Sequence, residues 1–306
     1  MKSVLLTGAG GFIGRHCIPI LLEKGYIVHA VTSKNIHSIN ESQLYWHHID
    51  LLNHKNIEFI VQKVNPTHLL HFAWYTENGF FWHSSHNIDW LTSSLKLLKE
   101  FKAIEGKRIV ISGTCAEYDW NHGYCKENIT PLVPSTLYGV SKNALQKILH
   151  QYTQQNDISY AWGRIFFLYG PFEHENRLIP YVIKSLINGK PAECTHGEQV
   201  RDFLHVEDVA NAFVELLDSD LEGPINIASG VPVTIKQVVK KIGTLLQKQD
   251  FIQLGMKKCL KYEPPLILAD VSRLKTELRW NPKYDLENGL QATINWQKKN
   301  NKVSQR

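Results

Sequence analysis

Through the first half of the chain, short apolar runs alternate with longer stretches whose apolar residues recur every three or four positions. SVLLTG (3–8), IVHAVT (27–32), THLLHFAW (67–74), RIVISGT (108–114) and SYAWGRIFFLYGP (159–171) read as strands. Continuous apolarity, rather than alternation, is the pattern of strands covered on both faces. Between them, GGFIGRHCIPILLEKGY (10–26) and NIDWLTSSLKLLKEF (87–101) carry helical spacing. Gly25 predicts the end of the first helix, and Pro19 within it predicts a kink or weak turn. Strand and helix in alternation argue for parallel βαβ units and a Rossmann-type α/β fold.

Beyond Pro171 the regularity breaks into proline-punctuated pieces such as LIPYVIKSLINGKPAE (178–193) and CLKYEPPLILADVSRLKTELRW (259–280). We expect a larger α/β domain over residues 1–170 and a smaller α/β subdomain over 171–306. FLHVEDVANAFVELL (203–217) reads as a strand and helix returning to the main sheet, so 203–228 is assigned back to the first domain.

Composition adds little to fold class but excludes others. The chain has 306 residues, no low-complexity tract and a formal net charge of +5 spread along its length. The densest basic run, QKKNNKVSQR at 297–306, is expected to be a solvated end rather than a nucleic-acid arm. Five cysteines without a C-x-x-C pair fit reduced thiols in a cytoplasmic protein. A strand opens almost at the first residue and no apolar run reaches membrane-spanning length, so neither a signal peptide nor a membrane partner is expected.

Two local patterns carry chemistry. In LLTGAGGFIG (5–14), Gly8, Gly11 and Gly14 stand between a strand and a helix. Glycines there allow a tight turn and close backbone approach to a pyrophosphate, while the helix N-terminus offers free N–H groups. In STLYGVSKNALQKIL (135–149), Tyr138 and Lys142 lie four residues apart at the start of a helix and so share a face. A nearby ammonium lowers a phenol's pKa, which would let Tyr138 exchange a proton near neutral pH. The plain alternative is a tyrosine packing a helix end.

T-G-x-x-G-x-x-G at 7–14 joined to Y-x-x-x-K at 138–142 resembles the extended short-chain dehydrogenase/reductase family, specifically its nucleotide-sugar epimerase/dehydratase/reductase group. The likeness continues through HHIDLLN (47–53), HLLHFAW (68–74), VISGTCAEY (110–118), RIFFLYGP (164–171), RDFLHVEDVANAF (201–213) and INIASG (225–230). It implies a nicotinamide dinucleotide held by Gly8, Gly11, Phe12, Ile13 and Gly14, by Asp50 and Leu51 near the adenine, and by Phe72, Ala73 and Trp74. It implies Tyr138 as proton donor and Lys142 on the nicotinamide ribose. Thr114 would hydrogen-bond the substrate oxygen. Arg201 would grip a nucleotide diphosphate, with an ion pair to Asp202 or Glu198 as the alternative.

At the end of the second strand, where an acidic residue would select NAD(H), the chain has Thr32, Ser33 and Lys34. Two hydroxyls and an ammonium suit a 2′-phosphate, which favours NADP(H) with NAD(H) possible. A solvated Lys34 is the alternative. Thr114 is followed by Cys115 and Ala116 rather than the Asp-Glu pair of the dehydratases, which argues against dehydration. Phe167 replaces the asparagine usual before the Y-G-P turn and removes a polar substrate contact. Trp74, Tyr75, Phe81 and Trp82 could wall a sugar pocket, fill core or form a dimer contact. His83, His86 and Asp89 read as a solvated helix face, not a metal site.

The expectation is therefore an NADP-dependent reductase of a keto group on a nucleotide-activated, 4-keto-6-deoxy sugar. The alternatives are a nucleotide-sugar epimerase using bound NAD(P) and a catalytically idle dinucleotide sensor. Helices flanking 85–100 and 138–153 permit the homodimer many relatives form.

Overall fold

The computed structural model describes residues 2–34, 41–259 and 263–303. In chain order the strands are β1 (Ser3–Thr7), β2 (Ile27–Thr32), β3 (Leu44–His48), β4 (His68–His71), β5 (Arg108–Thr114), β6 (Tyr124–Cys125), β7 (Ser159–Ile165), β8 (Phe167–Tyr169), β9 (Ala192–Glu193), β10 (Val200–His205), β11 (Gly223–Ile227), β12 (Pro232–Thr234), β13 (Ile252–Gln253) and β14 (Leu266–Ala269). The helices are α1 (Gly14–Glu23), α2 (His54–Val64), α3 (His86–Ala103), α4 (Leu137–Gln154), α5 (Leu178–Ile187), α6 (Val206–Asp218), α7 (Ile235–Leu246), α8 (Ser272–Thr276) and α9 (Leu286–Val303).

Seven parallel strands form the main sheet in the order β11-β7-β5-β4-β1-β2-β3. Successive residues of a strand point to opposite faces, and β1 uses both. Val4 and Leu6 enter a core built with Cys17 and Leu21 of α1 and Val209 and Phe213 of α6. Leu5 enters a second core with Ile57 and Ile60 of α2, Leu97 and Phe101 of α3 and Leu145 of α4. This two-sided burial is why β1 is apolar through Val4, Leu5 and Leu6. The chain order reverses direction at β1, whose neighbours β2 and β4 lie on opposite sides, so a crevice opens at its carboxyl end.

The run 159–171 divides at Phe166. β7 stays in the main sheet, while β8 leaves it to pair with β10. β10 also pairs with β12 and β14, so it belongs to a second sheet and not to the main one. That corrects the strand half of the 203–217 reading. α6 does pack on the main sheet, and β11, which follows it, closes that sheet's edge against β7. A third core lies under α5, α7 and α9.

Pro19 lies within α1 without ending it. It sits on the exposed face, where water can replace the lost intrahelical bond. Gly25, at φ +76°, follows the helix as expected. Of the basic tail, residues 304–306 lie outside the described residues.

Candidate active site

The glycine loop is shaped by its own backbone. Gly8 has φ +67°, and a Cβ there would meet the Ala73 backbone nitrogen at 2.8 Å. A Cβ on Gly14 would stand 2.3 Å from the Gly8 carbonyl oxygen, and one on Gly11 2.9 Å from it. Gly11 N–H donates to that same carbonyl at 2.8 Å, closing the turn. Arg15 braces it from outside, donating to the Gly11 carbonyl at 3.1 Å and the Gly10 carbonyl at 2.8 Å. α1 begins after Ile13 with no side-chain cap and no acidic residue in its first turn, so its positive end is left for a ligand. A pyrophosphate fits such a cradle.

Beside the loop stands the end of β4. His71 Nδ1 and Thr7 Oγ1 lie 2.6 Å apart, and His71 Nε2 lies 2.9 Å from Ser94 Oγ. Burial pushes the His71 pKa down to about 3, with the Lys142 charge adding to the effect, so the imidazole is neutral. Ala73 is buried against Gly8, and Phe72 packs edge-on to Phe213 at 4.9 Å. Trp74 is buried, and its indole N–H donates to Asn87 Oδ1 at 2.8 Å. Asn87, fully enclosed, donates in turn to the carbonyls of Phe81 and Ser84. This amide ties β4 to the aromatic segment and was not singled out from the sequence. An asparagine opening a helix among aromatics was its only sign.

Lys142 is 2% exposed. Its ammonium donates to the Ser112 carbonyl at 2.8 Å and lies 3.9 Å over the Trp74 ring. Burial lowers its pKa to about 7, opposed by the negative charge of Glu117. Tyr138, one helical turn earlier, is half-buried, and Trp82 carbonyl accepts its backbone N–H at 3.1 Å. Phe81 stands edge-on to the Tyr138 ring at 5.0 Å and Trp82 at 5.8 Å. The expected lowering of the Tyr138 pKa is not found. Burial raises it, opposed by a hydrogen bond with Thr114 and the charge of Arg177. Lys142 is itself desolvated and turned to Ser112 and Trp74.

Thr114 is held from below. Its hydroxyl accepts from Ala116 N–H at 3.2 Å, and its own N–H donates to Glu117 Oε1 at 2.8 Å. Glu117 is fully buried; it pairs with Arg164 Nε at 2.7 Å and accepts from the Trp162 indole at 2.9 and 3.1 Å. Glu117 thus anchors the loop that carries Thr114. The signal for it was Arg164 in the R-I-F-F run: a guanidinium inside a strand core requires a carboxylate partner. Cys115 is buried and its thiol pKa pushed up by that burial, so it is no proton carrier at neutral pH.

The remaining expected residues lie further out. Thr32 ends β2, and its hydroxyl accepts from Lys34 N–H at 3.1 Å; Ser33 and Lys34 are exposed. Asp50 is exposed and caps Leu52 N–H at 2.9 Å, while Leu51 is buried beneath it. Tyr75 donates to Glu77 at 2.8 Å at the rim. Arg201 is 4% exposed and pairs with Glu263 at 3.1 Å, not with Asp202 or Glu198. Asp202 instead accepts from Ser229 and Gly230, and Glu198 pairs with Lys236. The Arg201 guanidinium lies 5.3 Å over the Phe167 ring. His86 pairs with Asp89 at 3.1 Å on the surface, and the described residues hold no cluster of metal-ligating side chains. No described helix is long and apolar enough to cross a membrane.

Residues 4–228 match the model of the NAD dependent epimerase/dehydratase family. The chain belongs to that family. It is an NAD(P)-dependent enzyme of the extended short-chain dehydrogenase/reductase type. It is 28% identical over 310 residues to CDP-abequose synthase of Salmonella typhimurium, covering 96% of this chain and 97% of that protein. It is 25% identical to UDP-glucuronate 4-epimerase of Thermodesulfobacterium geofontis, covering 98% and 97%. Among solved structures, UDP-N-acetylglucosamine 4-epimerase from Methanobrevibacter ruminantium, in complex with UDP-N-acetylmuramic acid, superposes with a TM-score of 0.85 at 26% identity over 100% of this chain and 99% of the other. The dTDP-glucose 4,6-dehydratase from Bacillus anthracis in complex with NAD gives 0.86 at 24% identity over 99% and 98%.

Proposed function

We propose that the protein is an NADP(H)-dependent reductase of a keto group on a nucleotide-activated sugar, with 4-keto-6-deoxy sugars as its substrate class. The observation that carries this is the convergence of Thr114, Tyr138 and Lys142 around the crevice that the glycine loop opens. The bound dinucleotide supplies hydride to the carbonyl carbon. Tyr138 gives its phenolic proton to the carbonyl oxygen, and Thr114 hydrogen-bonds that oxygen as charge develops on it. Lys142 holds the nicotinamide ribose from the neighbouring helical turn. Gly8, Gly11, Phe12, Ile13 and Gly14 hold the pyrophosphate, with Phe72, Ala73 and Trp74 along its edge.

NADP(H) is favoured by the end of β2, where Thr32, Ser33 and Lys34 include no carboxylate to repel a 2′-phosphate. Reduction is favoured over dehydration because Cys115 and Ala116 cannot exchange the protons that elimination needs. Arg201 is the candidate for the diphosphate, and Glu263 is the carboxylate it must share. The relative that is a synthase of a CDP-linked sugar supports a reductase and makes CDP derivatives the first to assay. Exposed Ile88 on α3 and Val140 and Ile148 on α4 support a homodimer through those helices.

Epimerisation is the second reading, because several relatives are named 4-epimerases. The test is reduced-nicotinamide absorbance with NADPH and NADH against 4-keto-6-deoxy sugars carrying CDP, dTDP, UDP and GDP. Loss of absorbance with NADPH and one of them is expected. Interconversion of sugar isomers without net oxidation replaces the reductase with an epimerase.

A further inference from the structure

The segment 170–177, between β8 and α5, touches α1 just after the glycine loop at one end and the aromatic residues beside Tyr138 at the other. At one end the Pro171 carbonyl lies 3.2 Å from His16 Nε2, and the Arg15 guanidinium sits 4.0 Å over the Phe172 ring. Arg15 is the residue bonded to the glycine loop. At the other end the Arg177 guanidinium lies 5.5 Å over Phe81, whose ring is edge-on to Tyr138. Between these anchors stands Glu173, with Phe172 held at φ +71° just before it.

Glu173 Oε2 is buried and has no hydrogen-bond partner among the described residues. A buried carboxyl oxygen left unsatisfied is costly, and its persistence calls for an explanation. Every other buried carboxylate near the site is spent on the protein: Glu117 on Arg164 and Trp162, Asp202 on Ser229 and Gly230. We propose that Glu173 is a specificity-determining residue whose free carboxyl oxygen hydrogen-bonds a hydroxyl or carbonyl oxygen of the substrate's sugar ring.

The partner is sugar rather than diphosphate because of position: Arg177, whose charge acts on Glu173, lies over Phe81 beside Tyr138, the proposed proton donor to the sugar carbonyl. Burial lifts the Glu173 pKa to about 8, against the opposing charge of Arg177 and a Gly170 backbone hydrogen bond. At neutral pH the group is a carboxylic acid, able to donate as well as accept, which suits a sugar oxygen. The inference rests on the reductase reading of the same site.

Calorimetry and steady-state kinetics on the full chain test it. Probes are NADPH, each free nucleoside diphosphate, and the 4-keto-6-deoxy sugar nucleotide that the wild type turns over. In Glu173→Ala, the KM for the sugar nucleotide rises roughly tenfold, as for one lost hydrogen bond. NADPH and the free diphosphate bind as in wild type, and Glu173→Gln, which still donates and accepts, recovers most of the loss. Unchanged KM in Glu173→Ala overturns the inference alone. Equal loss of sugar nucleotide, free diphosphate and NADPH also overturns it, making Glu173 merely structural. If the wild type binds no sugar nucleotide, the functional reading falls and the inference falls with it.

Discussion

The two walls of the crevice are built on different principles. On the cofactor wall, the constraint is backbone against backbone: Gly8 against Ala73, Gly14 against Gly8, Gly11 N–H on the Gly8 carbonyl. On the proposed substrate wall, the constraint is side chain against side chain: Arg201 with Glu263, Arg177 over Phe81, Phe167 under Arg201. The first kind leaves almost no choice of residue, and any chain that forms the loop must spell it the same way. The second kind admits many solutions, which is where one member of a family can come to differ from another in its substrate.

Mutations sharpen that contrast. The largest effect belongs to the residue between the walls. Tyr138→Phe removes the proposed proton donor and should lower turnover by about 10²- to 10⁴-fold, with NADPH affinity unchanged by fluorescence titration. Retained turnover would remove Tyr138 from the chemistry. Next is Glu117→Ala, which leaves Arg164 buried without its partner. It should cost about 3–5 kcal/mol in denaturant unfolding, and disorder Thr114 as well. Gly8→Ala, on the cofactor wall, forces a side chain into the left-handed region against the Ala73 backbone. It should cost about 1–3 kcal/mol and weaken NADPH binding together with stability. A substitution tolerated there would undo the contrast itself.

Lys142 supplies a pH-dependent test. Its folded pKa of about 7 lies below its usual value of 10.5, and burial is the main cause. The native state therefore binds fewer protons than the unfolded chain between those values, so stability rises with pH across that window. The penalty is fullest below pH 7. Lys142→Met should be inactive yet gain stability relative to wild type most strongly below pH 7, and lose that advantage as pH rises from 7 to 10.5. A difference in melting temperature that is flat with pH would contradict the assignment. The smallest effect is expected from Lys34→Ala, about tenfold weaker NADPH binding with NADH unaffected, from one charge-assisted contact. Equal affinity changes for both would make Lys34 an ordinary solvated lysine.

The same contrast explains what the sequence disclosed. The parallel sheet was legible because burial on both faces leaves an apolar run, and the glycine loop because its geometry excludes other residues. The destination of β10 was not legible. FLHV at 203–206 is apolar enough for either sheet, and only pairing with β8, itself split from β7 at Phe166, decides between them. Pro19 lies inside α1 without ending it, since its cost depends on which face of the helix it occupies. Partners distant in sequence were hidden altogether. Arg201 meets Glu263, 62 residues on, although Asp202 is adjacent, because neighbouring residues in a strand point to opposite faces. The direction of the Tyr138 shift was missed because spacing on a helix gives proximity but not desolvation. Burial is the largest cause of the shift in each, upward for Tyr138 and downward for Lys142.

The central claim is that hydride passes from the cofactor to a sugar carbonyl and stays there. NADPH carrying deuterium at the transferable C4 position, incubated with a turned-over 4-keto-6-deoxy sugar nucleotide, tests it directly. The account predicts one deuterium on the former carbonyl carbon of the product and one equivalent of NADPH consumed per product formed. A product that forms without deuterium and without consumption of NADPH would contradict it.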